Sequence, residues 1–107
     1  SYADNIQPLF DQYCVDCHNS NGQAANTGLF LNTVDSYRLL VNQPATSSTA
    51  TGIRVTPLDP THSVLYERIS GAGLPAGAAQ MPLLKPPLSA HDQNLIKSWI
   101  DMGARND

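Results

Sequence analysis

Both cysteines of this 107-residue chain fall inside one five-residue stretch, Cys14-Val15-Asp16-Cys17-His18. Four uses for that arrangement compete, and each asks something different of the rest of the chain. A Cys14–Cys17 disulfide would close a very small loop, and the stabilisation from a crosslink grows with the loop it closes. A thiol–disulfide redox pair belongs at a strand-to-helix junction in a βαβ pattern, and no such pattern is visible. A structural zinc site needs four ligands, and only His62, His91 or carboxylates at no recognised spacing remain to complete the set. Covalent haem attachment is the use for which C-x-x-C-H is the signature. Two thiols add to the two vinyl groups of the porphyrin, and the next residue turns its imidazole onto the iron. On this reading Cys14 and Cys17 anchor one haem c, His18 is an axial ligand, and the fold must enclose a large flat apolar group.

The rest of the composition leaves room for one. Leu, Ile, Val and Phe make up 24 of the 107 residues, only just above the level at which chains tend towards disorder. A porphyrin would supply the missing apolar mass. The chain reads as one domain, 1–107, because two halves would each be too small to bury a core. Its net charge of -3 argues against nucleic acid, which calls for a basic face. No apolar run approaches a membrane span, and no signal-peptide core is present. It opens directly on Ser1-Tyr2-Ala3-Asp4, as a mature secreted form or an excised domain would.

Periodicity predicts a mainly helical fold. Ile6, Leu9, Phe10, Tyr13 and Cys17 recur at three- and four-residue steps, as on one face of a helix. Asp4 is its candidate N-cap, with Pro8 in the first turn. Residues 34–41 read as a short helix starting near Asp35 or Ser36. A third helix is expected from Asp59 as N-cap and Pro60 at its first position to a stop at Gly71. The last is the clearest: Ser89 as N-cap with Asp92 three residues on, a stripe of Leu95, Ile96, Trp99 and Ile100, and Gly103 as the stop. Between them, 19–28 and 42–52 are polar loops. The stretch from Gly71 to Leu88 is long for a loop inside a small domain, which points to function, and its Leu74, Met81, Leu83, Leu84 and Leu88 need something apolar to cover.

An iron held by His18 has a sixth position, for which His62, His91, Met81 and Met102 are candidates. Met102, one turn after Trp99, reads as packing. His91, behind Ser89 in a first helical turn, reads as a solvated surface side chain, and His62 reads mainly the same way. Met81 differs, because Pro82 biases its backbone towards an extended form that presents the side chain. A thioether opposite histidine is the ligation of cytochromes c and raises the reduction potential. The expected iron ligands are therefore His18 and Met81.

These residues resemble the class I cytochromes c, over the whole chain. "CVDCH" near the end of a first helix, "MPLL" downstream and "PPLSAHDQNLIKSWIDMGA" look like that family's haem site, methionine loop and final helix. The closer likeness is to bacterial haem domains in which a "V.P.DP..S.LY.RI" pattern precedes the methionine. Here it reads Val55, Pro57, Asp59-Pro60, Ser63, Leu65-Tyr66 and Arg68-Ile69. In one respect the chain departs from the pattern: the methionine is followed by Pro-Leu-Leu rather than Pro-Pro. The resemblance implies an all-α class I cytochrome c fold of three to five helices around one haem. It implies that the first and last helices cross, Phe10 or Ile6 against Leu95 and Trp99. Arg54, Arg68 and Trp99 are candidates to meet the propionates, against ordinary surface and core roles for each.

The function so implied is electron transfer, not enzymatic catalysis. Redox proteins are the expected partners, and a monomer the expected state of the isolated domain. The family's setting is the bacterial periplasm or exterior, where such domains also occur as modules of larger secreted proteins, including polysaccharide-oxidising systems. The rival readings are a haem sensor or peroxidase-like domain with an open sixth site, and a structural module whose haem is incidental. Ile69 to Leu84 carries no charge, so docking beside Met81 is expected to depend weakly on salt.

Overall fold

The computed structural model describes residues 1–46, 52–74, 79–82 and 85–107. Residues 47–51 of the 42–52 loop, and 75–78 with Leu83 and Leu84 of the long 71–88 loop, lie outside the described residues. The described chain is helical. Its strand structure is limited to two isolated bridges, Val41 with Val55 and Pro44 with Ile53.

The first helical segment starts earlier than the sequence suggests. Ser1, not Asp4, is the N-cap: its hydroxyl accepts the Asp4 N–H at 3.1 Å. Tyr2–Ile6 forms a π turn, closed by the Gln7 N–H on the Tyr2 carbonyl, and α1 follows over Gln7–Tyr13. Pro8 explains the change of register. It has no N–H to give, and its ring pushes away the carbonyl four residues back, so the preceding turn widens. The helix then ends at Tyr13, which leaves Cys17 beyond the helical stripe in which periodicity had placed it.

Helix α2 is Ser36–Leu40. The expected third helix is divided into a 3-10 turn at Pro60–His62 and α3 at Val64–Ser70. Ser63 makes the break. It is fully buried, its hydroxyl donates to the Asp59 carbonyl at 2.8 Å, and it accepts the Thr56 N–H at 2.8 Å. Asp59 does stand at the N-cap of the 3-10 turn but makes no side-chain capping bond there; its carboxylate takes the Thr61 hydroxyl and His62 Nδ1. Helix α3 does end at Gly71, left-handed with φ +78. Helix α4, Ala90–Asp101, matches its reading: Ser89 Oγ accepts the Asp92 N–H at 3.1 Å, and Ile96, Trp99 and Ile100 are buried.

These helices share one apolar cluster that holds Ile6, Phe10, Leu31, Leu40, Val55, Ile69, Trp99 and Ile100, with Leu95 partly buried against it. Helix α4 packs on the Tyr2–Ile6 turn. The ring nearest Trp99 is Tyr2, at a centroid distance of 5.0 Å, a contact that the expected Phe10 or Ile6 pairing missed. Full burial of an aromatic or branched side chain contributes about 1.5–3 kcal/mol, so this crossing is a main source of stability. A polar thread runs through it. The Tyr2 hydroxyl meets Ser36 Oγ, which donates to Gln7 Oε1 at 2.5 Å, and Gln7 Nε2 donates to the Leu31 carbonyl at 3.0 Å. Burial pushes the Tyr2 phenol up to about 12. The ends of the chain meet here as well. Tyr2 N donates to Asp107 Oδ1 at 3.0 Å, and Ala3 N to the Asp107 carbonyl at 2.9 Å. No helix among the described residues is long and apolar enough to cross a membrane.

Candidate functional site

The turn after α1 is held almost entirely by its own backbone. Cys17 N and His18 N both donate to the Cys14 carbonyl, at 3.2 and 3.0 Å, and Ala24 N donates to the Cys17 carbonyl at 3.0 Å. Asn19 closes it from outside. Its amide donates to the Val15 and Asp16 carbonyls at 2.6 and 3.1 Å, and its Oδ1 accepts the Asn21 N–H at 2.8 Å. The returning chain passes so close that a Cβ on Gly22 would lie 2.3 Å from the Cys17 carbonyl oxygen, so only glycine fits there. The result is that Cys14, Cys17 and His18 all line one cavity of about 380 Å³. That volume lies within the roughly 300–1,000 Å³ typical of small-molecule sites.

The imidazole of His18 is oriented by a hydrogen bond from Nδ1 to the Leu29 carbonyl, 3.2 Å long. Burial holds its pKa below the usual histidine value, with the Leu29 bond opposing and the Arg54 charge adding to the shift. A neutral ring whose Nδ1 carries the proton keeps a lone pair on Nε2, which is the form a metal takes. Cys14 and Cys17 are not joined in a disulfide. Burial pushes Cys14 up to about 11, the opposite of what a nucleophilic or redox cysteine requires. Among the described residues, no group of three or more His, Cys, Asp and Glu side chains is placed to hold a metal ion, so the zinc reading finds no donor set.

Met81 lines the same cavity, with Pro82 beside it and Leu65 and Ile69 from α3. The other three candidates for the sixth position do not. His62 is exposed and paired with Asp59 at 2.7 Å. His91 is exposed in the first turn of α4. Met102 is 72% exposed at the C-cap of α4, so it does not pack into the core as its position near the Trp99 stripe had suggested.

One part of the cavity is cationic. Arg54 is only 7% exposed and lines it. Its guanidinium donates to the Leu39 carbonyl at 2.9 Å, to the Thr27 carbonyl at 3.0 Å and to Thr46 Oγ1 at 3.0 Å. Arg68 and Lys85 also line the cavity, and among the described lining residues there is no carboxylate. Trp99 does not take part: it is buried in the core and donates its indole N–H to the Arg105 carbonyl at 2.9 Å. Sequence reasoning overlooked Asn19, Gly22, Thr46 and the Leu29 carbonyl. Asn19 could have been found, because asparagine just after a turn commonly bonds nearby backbone. A carbonyl acceptor leaves no trace in the sequence.

No protein-family model matches the chain, and no curated protein does. Among solved structures, one of hydrazine synthase from Kuenenia stuttgartiensis is similar, with a TM-score of 0.56 and 24% identity. The match covers 97% of this chain and 16% of that one, so the chain spans about one sixth of the length of its structural relative. At that identity the likeness is one of fold.

Proposed function

We propose that this chain is a single electron-transfer domain that holds one haem c through Cys14 and Cys17, with His18 and Met81 as the axial ligands of the iron. The observation that carries this reading is the convergence of two thiols, a neutral imidazole and a thioether on one cavity. Those four side chains come from two distant segments and are the donor set a covalently attached haem requires. The remaining lining fits the group too. Leu29, Leu31, Leu40, Val64, Leu65 and Ile69 give apolar walls, and Arg54 gives a buried cation suited to a propionate.

Bound there, the haem would supply one reversible electron. The chain's own part is to hold it rigidly. The Leu29 carbonyl fixes the tautomer and tilt of His18 and raises its basicity as a ligand. If His18 and Met81 held the iron, they would leave no position open to a substrate, and the described lining of the cavity offers no acid–base pair, which favours a carrier over an enzyme. Redox proteins would be its partners, and the bacterial periplasm or exterior its setting, as for the class I cytochromes c it resembles. The similar structure belongs to a far longer chain, in keeping with use of such a domain as a module in a larger redox protein.

Carbon monoxide tests this. Reduced parent protein at neutral pH should resist CO, whereas Met81→Ala should take it up readily. Ready uptake by the parent would mean an open sixth site, and a sensor or peroxidase-like role in place of electron transfer.

A further inference from the structure

The last turn of α3 and the segment that carries Met81 form one hydrogen-bonded unit. A helix leaves its final carbonyls without partners inside the helix. In α3 two of these are taken by the 79–81 segment. The Arg68 carbonyl accepts the Met81 N–H at 2.7 Å, and the Ile69 carbonyl accepts the side-chain amide of Gln80 at 2.9 Å. A third bond joins Arg68 Nη1 to the Ala79 carbonyl at 3.3 Å. The Gln80 amide also presses on the helix stop, where a Cβ added to Gly71 would lie 3.0 Å from Gln80 Oε1. The α3 residues Leu65, Arg68 and Ile69 line the cavity together with Met81. Any slip between helix and segment therefore changes how the thioether enters that cavity.

We propose that Gln80 is a positioning residue: by capping Ile69 it locks the Met81 backbone to α3 and sets how firmly the thioether is held in the cavity. This rests on the reading of Met81 as an iron ligand. The geometry asks for a hydrogen-bond donor at position 80. A hydrocarbon leaves the Ile69 carbonyl without its partner, and an ionised carboxylate turns an attraction into a repulsion between two oxygens.

The experiment uses the haem-loaded protein and three variants, Gln80→Ala, Gln80→Glu and Met81→Ala. The readouts are the thioether-to-iron absorption band, the rate of CO uptake and the melting temperature. Gln80→Ala should weaken the band and speed CO uptake by about tenfold or more, the scale of losses when an outer-shell partner of a metal ligand is removed. Gln80→Glu should make the band pH-dependent: kept in acid, where the carboxylic acid still donates, and weakened as the group ionises. A merely structural role would lower the melting temperature and leave band and CO uptake as in the parent. If Met81→Ala loses the band while both Gln80 variants keep it at every pH, the positioning role is overturned and the ligand reading stands. If Met81→Ala also keeps the band, the ligand reading fails, and the role of Gln80 with it. Should Gln80→Ala fail to fold, the pH response of Gln80→Glu decides alone.

Discussion

Ser36 donates a hydrogen bond of 2.5 Å to the Oε1 of Gln7, 29 residues away in sequence, and joins α2 to α1 deep inside the protein. Ser36 is fully buried and also meets the Tyr2 hydroxyl. Ser36→Ala removes a donor and an acceptor together and leaves two buried polar groups unmatched. The expected cost is about 1–3 kcal/mol. Urea unfolding should show a lower midpoint with an unchanged slope. An unmoved midpoint would mean that the thread contributes nothing net.

Acid should destabilise the fold through a few surface carboxylates. Bonds from Arg38 first and Asn32 second hold the Asp35 carboxyl below its ordinary value, and bonds from Thr61 and His62 do the same for Asp59. A carboxyl whose folded pKa is depressed adds stability above its unfolded value, about 3.9, and loses it as pH falls through the folded value. Melting temperature should therefore be flat near neutrality and drop below about pH 4. Asp35→Asn should soften the acid drop with little effect at neutral pH, where exposed pairs contribute little. A large loss at neutral pH would mean that Asp35 matters for something other than its charge.

Covalent attachment through Cys14 and Cys17 makes a plain chemical claim. The coloured protein should keep its pigment through acid–acetone extraction, and thiol titration in denaturant should find no free sulfhydryl. Recovery of two reactive thiols from the coloured protein would rule attachment out.

The uncharged stretch from Ile69 to Leu84 suggested docking that ignores salt, yet its two flanking cations, Arg68 and Lys85, both line the cavity. The basic charge beside the cavity should be felt locally although the whole chain carries -3. Oxidation of the reduced protein by ferricyanide, a small anion, should slow as salt is added. Lys85→Glu should reduce or reverse that slope. Rates indifferent to salt in both proteins would restore the uncharged rim.

What was legible in the sequence was whatever local chemistry dictates. Cys14, Cys17 and His18 stand out because both thiols and an imidazole fall in one five-residue stretch, and all three line one cavity. Helix α4 stands out because Ser89 and the Ile96–Trp99–Ile100 stripe agree on one register. The start of the first helix was misplaced because Ser1 and Asp4 are both good caps, and the choice between them is made by packing of Tyr2 against Trp99. The break at Ser63 was hidden because a serine inside a helical pattern does not reveal that its hydroxyl turns inward to Thr56 and Asp59. Arg54 reads from the sequence either as a candidate propionate partner or as surface charge; its burial depends on carbonyls of Thr27 and Leu39, which have no signature in the sequence.

The bonds from Tyr2 and Ala3 to Asp107 bring the two ends of the backbone side by side. Positions 1 and 107 therefore lie within reach of a short linker. Joining position 107 to position 1 by a few glycines and opening the chain in the polar loop at 19–28 would disrupt the cysteine turn, whereas opening it near Thr46 would separate Arg54 from the hydroxyl it holds. Circular permutation is best placed at the exposed Ala72–Gly73 turn, where the backbone is solvent-facing and follows the natural stop of α3. Opened there, α3 and α4 would lie at opposite ends of the chain, and the order in which the helices are made would change while their final neighbours stayed the same.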